Sequence, residues 1–236
     1  VMIVYGYNVA EAIFKKEKNN NKIKKIIIQD NMQSKFVKLI PNQLKMKTFY
    51  VTKKEIDVMA KGLHQGIMID IDYSYCPLNS FLKKNPNNII ILDHIEDPHN
   101  LGAIIRTATA ASFDGVIIPK DREVGVTSTV VKSSVGTIFD IDIVQVTNIK
   151  NTIEELKKEG FWIVGTSMNG NDYRKIDYSG KIALVIGNEG KGMSKLVTDA
   201  CDFLASIPID SNVESLNASV AAGIMMYEVV RNRKQV

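Results

Sequence analysis

Three short stretches of the sequence hold residue types that could do chemistry. The first, IEDPHNLGAIIRTATAASFDG (residues 95–115), places Asn100 at the start of a helical run and Arg106 six residues further on, nearly two turns away. Ile104, Ile105, Ala108 and Ala111 around Arg106 look like core residues. An arginine in such company either snorkels or pairs with a carboxylate, or its planar fork meets a ligand's phosphate or carboxylate. The second, LVIGNEGKGMS (184–194), sets Gly187, Gly190 and Gly192 around Asn188 and Glu189. Glycines between a strand and a helix let the backbone approach a ligand closely. The spacing imitates a P-loop, but Met193 and Ser194 stand where that motif needs Lys and then Ser or Thr, so a nucleoside triphosphatase is excluded. No GxGxxG pattern is present either. The stretch is a plain β-to-α turn or a ligand loop carrying a glutamate. The third, IPIDSNVESLNASVAAGIMMYE (207–228), crowds Asp210, Ser211, Asn212, Glu214, Ser215 and Asn217 before a helix. An N-cap needs one of them. The free N–H groups at that mouth suit a carboxylate or other acceptor.

These stretches need elements to position them. Apolar runs predict strands at 88–93, 115–119, 138–146, 161–166, 182–187 and 203–209. Helical spacing predicts helices at 100–111, 126–134, 149–159, 193–199 and 216–231. Buried strands alternating with helices imply an α/β fold with a mostly parallel, doubly wound sheet and helices on both faces. In such sheets ligands sit beyond the carboxyl ends of the strands, which points to loops 93–100, 166–171, 187–192 and 210–217. On the last helix Leu216, Val220, Ile224, Tyr227 and Val230 keep the helical period and are expected to face the core. Ala218, Ala221, Ala222 and Gly223 are small enough for close helix packing. Residues 1–73 alternate between helices (9–16, 34–40) and strands (25–29, 48–51, 66–72), a small α/β domain. Thr52 and Glu55 form a capping box opening a helix to about Lys61. Residues 74–88, with two prolines and four asparagines, read as a linker to a second domain at 89–236.

The bulk composition agrees with two domains: 236 residues, 45% hydrophobic and 24% charged. No run approaches the roughly 20 apolar residues of a membrane span, and no signal segment opens the chain. Val1 in place of Met points to a trimmed terminus, so a leader ahead of it stays open. Cys76 and Cys201 are isolated and fit reduced thiols of a cytoplasmic protein. His64, His94 and His99 lack metal spacing, and no metal is expected. Asp93, Glu96 and Asp97 are expected to cap the helix that follows them rather than to work as paired carboxylates. The net charge of +4 divides unevenly. Residues 1–88 carry fifteen Lys, no Arg and seven Asp or Glu, hence +8, and the remainder carries −4. That is how a polyanion-binding module fused to another domain would look, and equally how a Lys-rich composition would look.

The three stretches, in this order and spacing across about 90–231, resemble the SpoU (TrmH) family of RNA ribose 2′-O-methyltransferases of the SPOUT superfamily. DPHNLGAIIRTA carries Asn100 and Arg106, LVIGNEGKGMS carries Glu189, and the third stretch carries Ser215 and Asn217. VYGYNVAEAI near the start and HQGIMI (64–69) resemble the RNA-binding domain of the RlmB-type subgroup, whose members methylate a guanosine of 23S ribosomal RNA. A transfer-RNA or resistance-type enzyme of the same family and a non-catalytic RNA binder on this fold are the alternatives. The resemblance implies a deep trefoil knot in the C-terminal region, S-adenosylmethionine as methyl donor, RNA as partner and a homodimer. It implies donor contacts from Thr166, Ser167, Gly187, Asn188, Gly190, Ile207, Pro208, Ile209, Ser215 and Leu216. It makes Arg106 the catalytic residue, with Asn100, Glu189, Ser215 and Asn217 around it. A guanidinium stays protonated, so Arg106 is expected to bind the target phosphate and stabilise the developing alkoxide, with the proton going to water or to a locally shifted protein group. Glu189 is expected to orient Arg106 or the nucleotide. Tyr5, Tyr7 and Phe36 could stack on an unpaired base or fill the core of the small domain.

Overall fold

The structure, a computed structural model, describes residues 2–36, 38–60, 63–121, 124–210 and 212–233. Ser211, Lys61 at the expected helix end and Val37 within the expected helix 34–40 lie outside the described residues. Contacts divide the chain into two compact units: Val1–Ser74 with Val126–Asp140, and Tyr75–Gly125 with Ile141–Val236. The first unit thus recruits a segment from the second half of the chain, which no composition shift marks.

The first unit begins β1 (Met2–Tyr5), α1 (Tyr7–Phe14), α2 (Glu17–Asn20), β2 (Ile23–Gln29), α3 (Gln33–Phe36), β3 (Thr48–Val51), α4 (Lys53–Met59) and β4 (Ile67–Ile71). Its sheet runs β1-β4-β2-β3, with β4 antiparallel to β1 and β2, and β2 parallel to β3. The capping box forms: Thr52 Oγ1 accepts from Glu55 N at 3.3 Å, and Glu55 Oε2 accepts from Thr52 N at 2.8 Å. β1 is absent from the sequence expectation, because four residues are too few to show a period.

The second unit contains α5 (Leu78–Leu82), β5 (Asn88–Asp93), α6 (Pro98–Ala110) and β6 (Gly115–Pro119). After α7 (Ser128–Ser133), which packs on β1 within the first unit, it continues with β7 (Asp142–Val146), α8 (Ile149–Lys158), β8 (Phe161–Asp172), β9 (Lys181–Gly187), α9 (Lys195–Thr198), β10 (Phe203–Ser206) and α10 (Ala218–Arg233). The six strands are ordered β10-β8-β9-β5-β6-β7, and every pair is parallel. Ile89, Ile91, Ala183 and Val185 share one buried face with Ile153 and Leu156 of α8 and Val197 of α9. α6 and α10 pack against each other and on the sheet. Burial on both faces explains why β5, β6 and β9 read as continuous apolar runs.

Several expectations need correction. Residues 74–88 are not a free linker. Cys76 N donates to Ile143 O at 2.9 Å, and Phe81 of α5 is 1% exposed in the unit's core. Its ring lies where a Cβ on Gly115 would be 2.5 Å away, so a glycine opens the floor for the aromatic. The expected strand 138–146 begins only at Asp142, with Thr137–Phe139 a 3₁₀ turn of the first unit. β8 continues to Asp172 instead of ending at 166. It pairs with β10 at Val164 and Gly165, and again at Asn171 and Asp172, with a register shift between. β10 ends at Ser206, so residues 207–209 leave the sheet. α10 turns a different face inward. Ala218, Ala222, Met225, Met226 and Val229 are buried, whereas Val220 and Tyr227 are 50% and 53% exposed, and Leu216 precedes the helix. Apolar residues surround this helix, so spacing alone could not select the buried stripe. The small Ala218 and Ala222 settle it by permitting close approach.

Candidate active site

The three chemical stretches meet at the carboxyl ends of β5 and β9. The strand order changes direction there: β5, β6 and β7 run outward one way, and β9, β8 and β10 the other. That is the crevice where ligands of open parallel sheets bind.

α6 starts cleanly. Asp97 is its N-cap, accepting from His99 N at 2.9 Å, and Pro98 occupies its first turn. Asn100 in that turn faces the other two loops: its Nδ2 donates to Glu189 Oε1 at 2.9 Å, and its Oδ1 accepts from Asn217 Nδ2 at 2.9 Å. Asn217 caps α10, its Oδ1 accepting from Ser219 N at 3.0 Å and Ser219 Oγ at 2.6 Å. Its Nδ2 also donates to Glu189 Oε1, which in addition accepts from Ala218 N at 3.0 Å. One carboxylate oxygen therefore collects three donors and ties the glycine-rich loop to the mouths of two helices. A carboxylate is the favoured acceptor there, since helix N-termini carry partial positive charge.

A second knot of hydrogen bonds shapes the glycine loop. Asn188 Nδ2 donates to His94 O at 3.0 Å, and its Oδ1 accepts from Gly190 N at 3.0 Å and Lys191 N at 3.2 Å. Asn188 and Gly192 exchange backbone hydrogen bonds at 3.1 and 2.9 Å. A Cβ on Gly187 would lie 2.3 Å from Met193 N, so only glycine lets the loop fold back on its strand. The buried Asp93 does not cap α6: its Oδ2 accepts from Ser194 N at 2.7 Å, and its Oδ1 pairs with His94 Nδ1 at 2.6 Å. It anchors the far end of the glycine loop, a role its sequence position did not suggest.

Beside this network lies a cavity of about 350 Å³. The excursion of β8 between its two pairings with β10 supplies Thr166, Ser167, Met168 and Asn169. Of the expected donor-binding residues, Thr166, Ser167, Gly187, Asn188, Gly190, Ile207, Ile209, Ser215 and Leu216 line it, and Pro208 does not. The lining also includes Ile186, Met193 and Ala221, which sequence reasoning missed. Met193 reads as the failed second half of a P-loop, yet it packs with Cys201 over Gly165. Burial pushes the Cys201 thiol up to about 12, so it packs behind Met193 as a protonated, apolar group.

Arg106 stands apart. It is exposed on α6, and among the described residues it meets no carboxylate. Glu189 spends its bonds on Asn100, Asn217 and Ala218 and does not hold Arg106, contrary to one of the two expected roles. Six residues of helix separate Arg106 from Asn100 by about 9 Å along the axis. Its guanidinium is an exposed five-donor group, available to an anionic partner. Among the described residues no group of His, Cys, Asp or Glu could hold a metal ion.

Residues 87–227 match the SpoU rRNA Methylase family. The chain belongs to that family. Residues 3–75 match the domain described as RNA 2'-O ribose methyltransferase substrate binding. A Staphylococcus epidermidis protein assigned to the TrmH family of tRNA/rRNA methyltransferases is 44% identical, the match covering 100% of this chain and 97% of that protein. An AdoMet-bound rRNA methyltransferase from Sinorhizobium meliloti has 26% identity and a TM-score of 0.81 over 98% of this chain and 87% of that one. The SpoU methyltransferase AviRb of Streptomyces viridochromogenes, at 21% identity, shares the fold with a TM-score of 0.82 over 99% and 90%. For a SpoU methylase the convergence of Asn100, Glu189 and Asn217 places the family's three sequence segments in one crevice, next to one cavity.

Proposed function

We propose that this SpoU methyltransferase transfers a methyl group from S-adenosylmethionine to the 2′-hydroxyl of a guanosine in 23S ribosomal RNA. The observation that carries the reading is the cavity bounded by the Glu189 network on one side and the β8 excursion on the other. Its volume of about 350 Å³ suits a small molecule. Its walls offer apolar surface from Ile207, Ile209, Leu216 and Met193 for a flat base, with Thr166, Ser167 and Ser215 for hydrogen bonds. Glu189, the carboxylate in the lining, complements a sulfonium charge. The residues fit the donor, which when bound supplies a methyl group activated by positive sulfur. Gly187 lets the glycine loop fold back on its strand and so shapes the cavity wall, and Leu216 and Ile207 exclude water.

Arg106 binds the target phosphate and stabilises negative charge developing on the ribose oxygen. It is not the base, because a guanidinium stays protonated; water takes the proton. Asn100 and Asn217 hold the two helix mouths in register, so the 2′-oxygen is aligned with the donor. Alignment of this kind can contribute on the order of 7–11 kcal/mol. The exposed Val220 and Tyr227 on α10 form the contact face of a homodimer, loops 187–192 and 210–217 form a trefoil knot, residues 1–73 bind RNA, and the enzyme works in the cytoplasm.

A transfer-RNA substrate is the second reading, favoured by the tRNA/rRNA assignment of the staphylococcal relative. The test uses tritium-labelled S-adenosylmethionine with ribosomal and transfer RNA from cells lacking this protein, followed by mapping of 2′-O-methyl products. Label at one large-subunit guanosine is expected. Label in transfer RNA alone keeps the chemistry and overturns the substrate.

A further inference from the structure

Two motifs at opposite ends of the first unit, GYN and HQG, have no part in the methyl-transfer site, yet they meet. Gln65 Oε1 accepts from Tyr7 N at 2.9 Å. Gly6, at φ 99°, precedes α1 and provides no side-chain cap for it. Gln65 and Gly66 take left-handed backbone (φ 51° and 81°) in a tight turn closed by Ile67 N to His64 O at 3.0 Å. His64 Nδ1 accepts from Gly66 N at 3.0 Å, which leaves Nε2–H to donate to Asp57 at 2.7 Å. The ring is thus a neutral bracket for the turn, and Asp57 is occupied.

Between these motifs opens a cavity of about 750 Å³, within the range of small-molecule sites. Beside the apolar Met32 and Leu63 and the mutually paired His64 and Asp57, its lining includes three kinds of group. Tyr7 offers a ring face, backed by Phe36 with centroids 5.7 Å apart. Lys35 and Lys53 offer ammonium groups, and Lys35 Nζ rests 4.8 Å above the Tyr7 ring. Asn8 offers an amide that, like Lys53, meets no partner among the described residues.

We infer that this cavity takes one unpaired ribonucleotide of the substrate RNA, its base stacked on Tyr7 and its phosphates held by Lys35 and Lys53. The inference rests on the RNA-methyltransferase reading above. A flat aromatic face, two cations and an edge-reading amide are what a single-stranded nucleotide needs: stacking, phosphate neutralisation and hydrogen bonding of a base edge. An acidic protein surface would use the cations and leave the ring and amide without work. Among the described residues the Lys35 cation meets the rings of Tyr7 and Phe36, at 4.8 and 5.9 Å, and no carboxylate, so a base can displace it while the ammonium swings to phosphate. The site lies outside the catalytic network, so it selects the RNA without touching the reaction.

The test uses the full chain with ribosomal RNA from cells lacking this protein. Ultraviolet crosslinking with mass-spectrometric mapping is expected to place a crosslinked nucleotide on Tyr7. Tyr7→Ala and Lys35→Glu are expected to raise KM for RNA about tenfold, with kcat and donor affinity within twofold of wild type. Lys35 is exposed, so its variant stays informative should Tyr7→Ala fail to fold. Methylation by wild type with crosslinks elsewhere and an unchanged KM in the variants overturns the pocket and leaves the enzyme intact. A wild-type chain that neither binds nor methylates ribosomal or transfer RNA overturns the substrate reading and the pocket with it.

Discussion

Removing the Glu189 carboxylate tests the reasoning about the site most directly. Oε1 accepts from Asn100 Nδ2, Asn217 Nδ2 and Ala218 N. A hydrogen bond of this kind contributes about 0.5–1.5 kcal/mol net, and a carboxylate at a helix N-terminus adds about 0.3–1 kcal/mol. Glu189 is exposed, so water reaches the orphaned donors in Glu189→Ala and the loss falls at the low end, about 2 kcal/mol. Glu189→Gln keeps a carbonyl oxygen and loses the charge, which costs about 1 kcal/mol. The loss is local to the first turn of α10. Hydrogen exchange at the Ala218 amide should therefore accelerate about 30-fold in Glu189→Ala and about fivefold in Glu189→Gln, while amides of β5 stay protected. The same carboxylate fixes the glycine loop, so S-adenosylmethionine affinity measured by calorimetry should fall about tenfold in Glu189→Ala. An Ala218 amide exchanging within twofold of wild type, together with unchanged donor affinity, would refute the clamp.

Arg106→Lys should reduce kcat by about 10²–10³ with donor affinity unchanged, and full activity in the lysine enzyme would defeat the argument from fork geometry. Gly187→Ala forces a Cβ to 2.3 Å from Met193 N, so thermal unfolding should show a loss of about 1–3 kcal/mol, and calorimetry should show no donor binding. Asp172 is held down to about 2 by its hydrogen bonds and ion pair with Arg174. This depressed carboxyl supports the fold above about pH 4 and loses that contribution as pH falls toward 2. Carboxyl ¹³C titration should follow this course in wild type and return to the ordinary aspartate range in Arg174→Ala.

Much of the fold is legible in the sequence where local physics and tertiary environment agree. β5, β6 and β9 are buried on both faces, and their apolar runs give their extents closely. Thr52 and Glu55 cap α4 by a local bond pattern that needs no other part of the chain. The site's three segments are legible as polar or glycine-rich loops at strand ends. Their internal wiring is not. Asn100 and Asn217 are 117 residues apart, and a hydrogen bond between them depends on the chain after the edge strand β10 reaching back past β8 and β9 to the helix that follows β5. Asp93 looks like a cap because it lies just ahead of α6, yet its Oδ2 accepts from Ser194 N, 101 residues further along the chain. Phe81 sits in a Pro- and Asn-rich stretch that composition marks as a linker, and only Gly115 across the sheet reveals the space it fills.

The sequence by itself determined what depends on neighbours along the chain: strand cores, caps, the excluded P-loop, the charge asymmetry and the motif spacing of the family. Tertiary structure decided what depends on neighbours in space. It chose the buried stripe of α10 from a helix apolar on all sides, because Ala218 and Ala222 are small enough to approach the packing surface. It also converted a glutamate in a glycine turn into the point where three segments are tied. A carboxylate's partners are set by distance, and the fold alone brings Asn100, Glu189 and Asn217 within reach of one another.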